Sequence, residues 1–206
     1  MAMNDSDSRS GKRTQERILD VALRLFYAQG YSKTSLSAIA EEVGISAPSL
    51  YWYFKSKNDL CYVALQRELR RFVDQVELGA AGGDPSTRLG GFVRSYVLLK
   101  LEQGERLVNP GAAIGYQNLR EALKPEHQQD IDVLQRRVLD LLRGILIDGR
   151  EQGVFKFGNL TTTSFAIITT CEYVFSWVQP GRALSPAEVA DEYRTLMLTM
   201  VRSTRL

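Results

Sequence analysis

Two short apolar segments joined by only three residues constrain the fold of this chain more than any other feature. The first spans 36–43 (L-S-A-I-A-E-E-V), and the second spans 47–54 (A-P-S-L-Y-W-Y-F). Apolar residues recur at helical spacing in both, with Leu50 and Phe54 four residues apart in the second. Gly44 follows the first segment directly, and glycine adopts the left-handed backbone of a helix stop at least cost. The pattern therefore predicts a tight helix-turn-helix.

Residues that start helices mark the same region. Ser35 and Ser46 stand at the expected N-cap positions, and Pro48 lies in a first turn, where its missing N–H costs nothing. The run S-K-N-D at 56–59 has the form of a capping box, with Asp59 where Glu is more common. A long helix is therefore expected to follow.

Helical periodicity continues over almost the whole chain. The predicted helices span residues 14–29, 36–43, 47–54, 57–77, 86–103, 105–122, 125–152, 160–179 and 186–203. The stretch G-A-A-G-G-D-P at 79–85 is the best internal break, and V-F-K-F at 154–157 is too short and isolated to form a sheet. The run S-P-A-E at 185–188 combines an N-cap, a proline and an N3 glutamate. We therefore predict an all-α protein of about nine helices.

Composition argues against several classes of function. The chain has 206 residues, with 26 Lys and Arg against 24 Asp and Glu, so any nucleic-acid surface has to be local. Cys61 and Cys171 have no metal or redox spacing, and the single histidine, His127, is expected at the surface. Because there is no Ser-His-Asp set, glycine-rich phosphate loop or metal cluster, we predict neither an enzyme nor a cofactor or metal site.

Nothing in the sequence suggests a membrane protein. The N-terminus is polar and lacks the apolar core of a signal peptide. The longest apolar run, 164–178, includes Glu172 and falls short of a membrane span. A cytoplasmic protein without a membrane partner is therefore expected.

Four consecutive aromatic residues at 51–54 require an explanation. A helix buries about half of its circumference at most, so some of these rings must face solvent. A recognition helix presents small or polar side chains near its N-terminus to base edges, and Ala47, Pro48 and Ser49 are of this kind. A plain helical hairpin with the tyrosines packed against the first helix is the alternative explanation of the same spacing.

A resemblance to a known family favours DNA binding. The stretch T-S-L-S-A-I-A-E-E-V-G-I-S-A-P-S-L-Y-W-Y-F-K-S-K-N-D-L, within residues 12–60, closely resembles the DNA-binding domain of the tetracycline-repressor (TetR) family of dimeric bacterial transcriptional repressors. The resemblance implies base contacts by the recognition helix and phosphate contacts beside it. The implied DNA-binding residues are Thr34, Ser35, Ser46, Ala47, Pro48, Ser49, Tyr51, Trp52, Tyr53, Lys55 and Lys57. A basic N-terminal arm with Arg9, Lys12 and Arg13 either adds nonspecific contacts or is a solvated tail.

The remaining three quarters of the chain is expected to dimerise and to sense a ligand. Dimers of the family usually form from the last two long helices, although the same apolar stripes also suit a core within one chain. One short helix reads too few base pairs for useful specificity, which also favours a dimer. The predicted interface comprises Val174, Val178, Val189, Tyr193, Leu196, Met197 and Met200.

The sensing pocket is predicted from apolar and aromatic residues of the middle helices, each of which also suits an ordinary core. They are Phe92, Tyr96, Leu99, Ile114, Tyr116, Leu119, Phe165, Ile168, Phe175 and Trp177. The tail E-Y-V-F-S-W-V-Q-P-G-R-A-L-S-P-A-E-V-A-D-E-Y at 172–193 resembles a branch of the family that responds to acyl-CoA thioesters. Basic residues available for CoA phosphates are Arg94, Lys100, Arg106, Arg120 and Arg182.

The sequence thus predicts a ligand-responsive DNA-binding regulator of bacterial transcription. Its expected domains are a flexible arm at 1–11, a helix-turn-helix domain at 12–58, and a ligand-binding and dimerisation domain at 59–206. Its expected partners are a palindromic double-stranded operator, a second copy of the chain and a small apolar effector, such as an acyl-CoA, whose binding releases the repressor. Activation instead of repression stays open. The alternative function is that of a helical adaptor that keeps the fold without binding an operator.

Overall fold

The computed structural model describes residues 3–106, 112–178 and 184–202, and the side chains of 10–104, 116–178 and 184–202. Nine α-helices and one 3₁₀ helix, Val174–Ser176, form the regular structure of these residues, which include no β-strand. The α-helices are α1 (Met3–Gln29), α2 (Leu36–Val43), α3 (Ala47–Tyr53), α4 (Lys57–Gly79), α5 (Pro85–Arg106), α6 (Ala112–Glu121), α7 (Pro125–Glu151), α8 (Leu160–Glu172) and α9 (Pro186–Arg202). The prediction of an all-α fold is confirmed.

Three helices extend beyond their predicted bounds, and the smallest change is in α4, which ends at Gly79 rather than near residue 77. α1 begins at Met3 rather than near residue 14, so residues 3–11, predicted as a flexible arm, belong to a helix. No proline interrupts that stretch, and the hydroxyl of Thr14 donates to the carbonyl of Ser10 (3.1 Å) as it does inside helices. α5 continues to Arg106, past its predicted end.

The predicted helix at 160–179 is instead divided in two. α8 ends at Glu172, Tyr173 adopts φ −93° and ψ 10°, and the 3₁₀ helix follows. Phe175 lies tightly against α5, since a Cβ on Gly104 would come within 2.8 Å of the Cβ of Phe175. Tertiary packing against α5 therefore overrides the helical periodicity of this segment.

The described residues lack two features. No helix among them has both the length and the hydropathy needed to cross a membrane. Nor do their His, Cys, Asp and Glu side chains gather in groups of three or more that could hold a metal ion.

The chain packs as two compact units. The first holds α1 to α3, α4 up to Glu68, and α6 with α7 up to Ile131. The second holds α4 from Leu69, α5, α7 from Asp132, α8, the 3₁₀ helix and α9. The predicted functional boundary after residue 58 stays a prediction, because a division by packing does not decide where a function ends.

The turn between α2 and α3 has the predicted glycine geometry. Gly44 adopts φ 77° and ψ 33°, in the left-handed region. Its N–H donates to the carbonyl of Glu41 (3.0 Å), and the N–H of Ile45 donates to that of Ala40 (3.0 Å). These two bonds are the Schellman pattern, which satisfies carbonyls at the end of α2 and turns the chain towards α3.

The predicted N-caps of the two helices also form. The hydroxyl of Ser35 accepts the N–H of Ala38 (3.1 Å), and that of Ser46 accepts the N–H of Ser49 (3.2 Å). Each bond satisfies one of the unpaired donors at a helix start and stabilises the helix by roughly 1 kcal/mol. Helices as short as α2 and α3 depend on such caps, because they are too short to be stable alone.

Capping boxes start two further helices. At α9 the box is complete, because Ser185 N–H donates to Glu188 (2.7 Å) and Glu188 N–H donates to the Ser185 hydroxyl (3.3 Å). The bond from the Ser185 backbone holds the pKa of Glu188 below its usual value. At α4 the N–H of Asp59 donates to the Ser56 hydroxyl (3.0 Å), but the carboxylate of Asp59 accepts from the Lys55 N–H (3.2 Å) instead of returning to the cap residue.

The core of the first unit consists of the apolar faces that the periodicity predicts. Ile18 and Phe26 of α1, Ile39 of α2 and Leu50 of α3 are almost completely buried, as is Phe54 directly after α3. Burial of side chains of this size contributes about 1.5–3 kcal/mol each. The inward orientation of Leu50 and Phe54 determines which residues of α3 face solvent.

The single histidine is more confined than expected. The ring of His127 stacks on that of Tyr62, with centroids 3.9 Å apart, and its Nδ1 lies 3.2 Å from the Asn58 side-chain oxygen. The amide of Asn58 donates to the carbonyl of Ala122 (2.8 Å), and the Tyr62 hydroxyl donates to Asp130 (2.6 Å). His127 therefore helps to join the start of α4 to the start of α7 rather than lying free on the surface.

The core of the second unit is built around α5. Leu89, Phe92, Val93 and Val97 of this helix are fully buried. α4 and α5 cross closely at two glycines, because a Cβ on Gly91 would overlap the carbonyl oxygen of Gly79, and a Cβ on Gly79 would overlap the hydroxyl of Ser95. Such a crossing tolerates no side chain at either glycine without separating the helices.

We predict opposite effects of two glycine-to-alanine substitutions on unfolding by urea. Gly91→Ala has to push α4 and α5 apart and should lower the free energy of unfolding by about 1–3 kcal/mol. Gly144→Ala, within α7, meets nothing within 4 Å and should raise it by about 0.5–1 kcal/mol, the helix-propensity gain. Equal stability of G91A and the natural chain would contradict the close crossing.

Candidate nucleic-acid interface

Helix α3 presents an apolar and aromatic face to solvent. Leu50 is fully buried on its inner side, whereas Trp52 is 89% exposed and Tyr51 is 56% exposed. Pro48 is also exposed, and Tyr53 is half-buried. In the alternative explanation, a plain helical hairpin, both tyrosines would pack against the first helix. Tyr51 is too exposed for that arrangement. A large exposed indole beside an exposed phenol, on a helix of seven residues, is an unusual surface feature.

The N-terminal turn of α3 carries the small polar groups of the face. The hydroxyls of Ser46 and Ser49 lie 2.7 Å apart, and Ser46 also caps the helix. Ala47 and Ser49 are half-buried. A hydroxyl can donate to or accept from a base edge, and a methyl group can contact thymine, so this turn suits major-groove recognition.

The two lysines predicted to bind DNA have different surroundings. Lys55 is exposed. The ammonium of Lys57 instead donates to the carbonyls of Tyr31 (2.9 Å) and Thr34 (3.1 Å) and lies 4.3 Å from the centre of the Tyr31 ring. Lys57 therefore ties the start of α4 to the connection between α1 and α2, and its predicted contact with phosphate stays a prediction.

The two hydroxyl residues before α2 also differ. Thr34 is only 1% exposed, and its hydroxyl lies 2.9 Å from the carbonyl of Gly30 and 3.2 Å from that of Leu25. Its side chain is thus part of the loop closure, and its predicted contact with phosphate stays a prediction. Ser35 is exposed at the N-cap, as its predicted role requires. Adjacent hydroxyls look equivalent in the sequence, and only burial separates them.

Sequence reasoning missed two exposed residues beside the same cap. Lys33 lies two positions before Ser35, and Ser37 lies in the first turn of α2. Both are exposed at a helix N-terminus, where N–H groups and the helix dipole favour an anion. The position of a lysine two residues before a predicted N-cap was the available signal.

Contacts from α1 hold α2 in place. The guanidinium of Arg17 donates to the carbonyl of Val43 (3.1 Å) at the end of α2. Arg24 of α1 forms an ion pair with Glu42, which also belongs to α2. The two arginines fasten the helix that precedes the turn, so α3 projects from a braced support. Of the predicted basic arm, Lys12 and Arg13 are exposed, and the side chain of Arg9 lies outside the described residues.

The residues of the predicted ligand pocket are divided between the two packing units. Tyr116 and Leu119 belong to the first unit, where Leu119 is buried, and the side chain of Ile114 lies outside the described residues. In the second unit the predicted residues fall into three groups. Phe92 and Tyr96 are buried in the core, Leu99, Ile168 and Phe175 are half-buried, and Phe165 and Trp177 are exposed.

The predicted dimer interface is divided in the same way. Leu196 and Met200 are exposed on α9, and Val178 is half-buried. The others lie inside the core of their own chain, which corrects their assignment to the interface: Val174, Val189, Tyr193 and Met197. Apolar periodicity shows that a helix has a buried face but leaves open which partner buries it.

Large apolar side chains are nevertheless exposed on α8, beside the 3₁₀ helix and on α9. Besides Leu196 and Met200, they include three large aromatic residues, all about half exposed: Phe165, Tyr173 and Trp177. α8 carries no charged residue from Leu160 to Cys171. We refer to these five large residues as the α8–α9 apolar surface.

The basic residues predicted for CoA phosphates are partly engaged within the second unit. Arg94 pairs with Asp191 (2.9 Å), and Lys100 pairs with Glu172 (2.7 Å). Arg120 is half-buried in the first unit. The side chains of the remaining two, Arg106 and Arg182, lie outside the described residues.

Comparison with known families identifies the class of protein. The profile described as "Bacterial regulatory proteins, tetR family" matches residues 18–61, and the profile "Tetracyclin repressor-like, C-terminal domain" matches residues 82–201. This chain belongs to the TetR family. Members of the TetR family are transcriptional regulators, so the exposed face of α3 lies in the helix-turn-helix of a DNA-binding regulator.

Individual TetR-family proteins match nearly the full length. The HTH-type transcriptional repressor KstR2 of Rhodococcus jostii (strain RHA1) is 26% identical over 202 residues, which cover 95% of this chain and 93% of that protein. A tetR-family regulatory protein from Rhodococcus RHA1 superposes with a TM-score of 0.80 at 23% identity, covering 93% and 98% of the two chains. AibR, solved with isovaleryl coenzyme A and operator DNA, gives 0.76 at 22% identity, covering 92% and 98%. The two solved structures, the Rhodococcus protein and AibR, therefore have the same fold as this chain.

We predict that substitution of Lys55 and of Lys57 separates DNA affinity from stability. Lys57→Gln loses two charge-assisted hydrogen bonds to carbonyls and should lower the free energy of unfolding by about 1–3 kcal/mol. Lys55→Gln should leave the melting temperature unchanged and weaken binding to duplex DNA, with a shallower salt dependence. Calorimetric melting and fluorescence anisotropy at several salt concentrations measure the two effects. A stable K57Q variant would contradict the internal role of Lys57.

Proposed function

We propose that this TetR-family protein is a repressor that binds a palindromic operator as a homodimer and leaves it when a small apolar effector binds. The exposure of Trp52 and Tyr51 on the capped helix α3 is the observation that carries the proposal. Side chains that only packed the protein would not leave an indole 89% exposed. No catalytic step is part of the proposal.

The proposed DNA contacts follow the exposed side of the helix-turn-helix. The first turn of α3 faces base edges in the major groove, and Trp52 contacts the groove wall or a thymine methyl. Phosphate contacts lie on both sides of this turn. They are made by Tyr51, Tyr53 and Lys55 after it, and by Lys33, Ser35 and Ser37 at the start of α2.

The α8–α9 apolar surface is the proposed dimer interface. Large exposed apolar patches on one chain mark association sites, and the absence of charge along α8 removes the main obstacle to burying this face. Dimerisation also has a functional reason, since two recognition helices about 34 Å apart read two successive major grooves. A palindromic operator then follows from the two-fold symmetry of the protein.

The effector is proposed to be an acyl-CoA thioester or a similar apolar acyl compound. The solved complex of AibR with isovaleryl coenzyme A and operator DNA supports this class, as does the resemblance of residues 172–193 to acyl-CoA-responsive members. Effector binding releases DNA by favouring the dimer form whose recognition helices do not match successive grooves. The ligand shifts that equilibrium only by its difference in affinity for the two forms.

Selection of duplexes from a random pool by the purified protein tests operator binding. On the selected duplex, Trp52→Ala should weaken affinity by at least about tenfold, because each good groove contact is worth roughly 1–3 kcal/mol. Trp177→Phe leaves Trp52 as the only indole of the chain, and its fluorescence should change on DNA binding. If no duplex is retained at modest salt, the chain is better described as an adaptor that keeps the fold.

A pair of leucine substitutions tests the dimer interface. Leu196→Glu would place a charge in the proposed interface and should convert the dimer to a monomer in sedimentation velocity, since a buried unpaired charge costs several kcal/mol. Leu78→Glu, at a leucine 68% exposed on α4, is the matched control and should remain dimeric. A dimeric L196E variant would rule out the α8–α9 apolar surface as the interface.

A further inference from the structure

An ion pair lies within the second unit, between the central helix α5 and the end of α8. The ammonium of Lys100 is 2.7 Å from one carboxylate oxygen of Glu172, and their side chains are only 14% and 34% exposed. Partly buried ion pairs seldom add stability, because desolvation of the two charges offsets their attraction. Stability alone therefore does not explain this half-buried pair, which points to a function.

Two aromatic rings lie near the ammonium of Lys100. The Nζ of Lys100 lies 5.0 Å from the centre of the Phe72 ring and 5.9 Å from that of Tyr96. The hydroxyl of Tyr96 donates to the second oxygen of Glu172 (2.6 Å), and the two rings meet edge to face. Glu172 is thus held by a donor on each oxygen, at the end of a helix where a negative charge is otherwise unfavourable.

One position on the ammonium is weakly occupied. A lysine ammonium has three donors, and besides Glu172 it reaches the side-chain oxygen of Gln103 at 3.4 Å. That distance exceeds the usual 2.7–3.2 Å of a good hydrogen bond, so a better acceptor can replace Gln103 at small cost. A cationic ligand, in contrast, would have to expel Lys100 from its aromatic surroundings.

The charge balance distinguishes between acceptors. Glu172 already neutralises Lys100, so an incoming carboxylate would meet a second carboxylate across the same ammonium. Repulsion between like charges is weakly screened at a partly buried site. A neutral carbonyl oxygen can accept the hydrogen bond without that repulsion. Half-buried Phe72 provides an apolar wall beside it for the attached chain.

We propose that Lys100 donates a hydrogen bond to the neutral carbonyl oxygen of the effector, and that Glu172 makes the site select thioesters or ketones over free carboxylic acids. This inference rests on the proposed acyl effector and specifies how the carbonyl end of its acyl chain is recognised. Lys100, first considered for CoA phosphates, is assigned to the acyl carbonyl. Because Glu172 is the last residue of α8, this contact lies where α8 gives way to the 3₁₀ helix.

Calorimetric titration of the full chain with paired probes tests the inference. The probes are the isovaleryl, octanoyl and palmitoyl thioesters of N-acetylcysteamine and the free acids of the same chains, with the matching acyl-CoAs titrated in parallel. The natural chain should bind the best thioester at least about tenfold more tightly than its acid, as expected for a like-charge contact in a weakly screened site.

Three variants separate the roles. Lys100→Met should weaken thioester binding by about tenfold or more, because the carbonyl loses its donor. Glu172→Gln should keep thioester affinity within about threefold while binding the free acid at least about tenfold more tightly, since the repulsion is gone. Arg88→Met, which removes a cation of α5 paired with Asp148 (2.6 Å), is the matched control and should change neither.

The outcomes distinguish this inference from the function it rests on. If the natural chain binds none of the acyl-CoAs or thioesters, the proposed effector class is wrong, and the inference falls with it. If acyl-CoA binds but the E172Q variant keeps the natural preference for thioester over acid, the inference alone is wrong. Unchanged thioester binding by K100M overturns it equally. Circular dichroism checks folding, and should K100M fail to fold, E172Q still decides.

Discussion

The left-handed turn at Gly44 is the constraint on which the candidate DNA-binding surface depends. It ends α2, directs the chain into α3 and lets Leu50 and Phe54 enter the core. Successive residues of a helix are rotated by about 100°, so this anchoring leaves Trp52 on the opposite side. A different turn would rotate the short helix and change which residues reach a groove.

Residues that look alike in the sequence take different roles around that turn. Thr34 is buried and Ser35 is exposed, although both carry hydroxyls beside the start of α2. Lys55 faces solvent, whereas Lys57 donates to two backbone carbonyls. In each pair one member supports the loop and the other is available to DNA. The supporting member is needed because unpaired carbonyls near the core would be costly to leave without donors.

The second unit departs from the usual distribution of polar and apolar groups in two places. The charged pair Lys100 and Glu172 is half-buried beside its core, and α8 and α9 expose large apolar side chains such as Phe165 and Leu196. Each departure has a cost for an isolated chain, in desolvated charge or in exposed apolar area. The proposed partners account for both: an acyl carbonyl would bind at the charged pair, and a second copy of the chain would cover the exposed apolar side chains.

The sequence by itself determined the helical class, the caps at Ser35 and Ser46, the Gly44 stop and the membership of Trp52 in a solvent-facing aromatic run. These features depend on local backbone chemistry and on periodicity, which neighbouring residues encode. Only the tertiary structure decided that Lys57 turns inward, that α8 ends at Glu172 and which apolar residues stay exposed. Those outcomes depend on contacts between segments far apart in the chain, and periodicity reveals an apolar face without identifying what covers it.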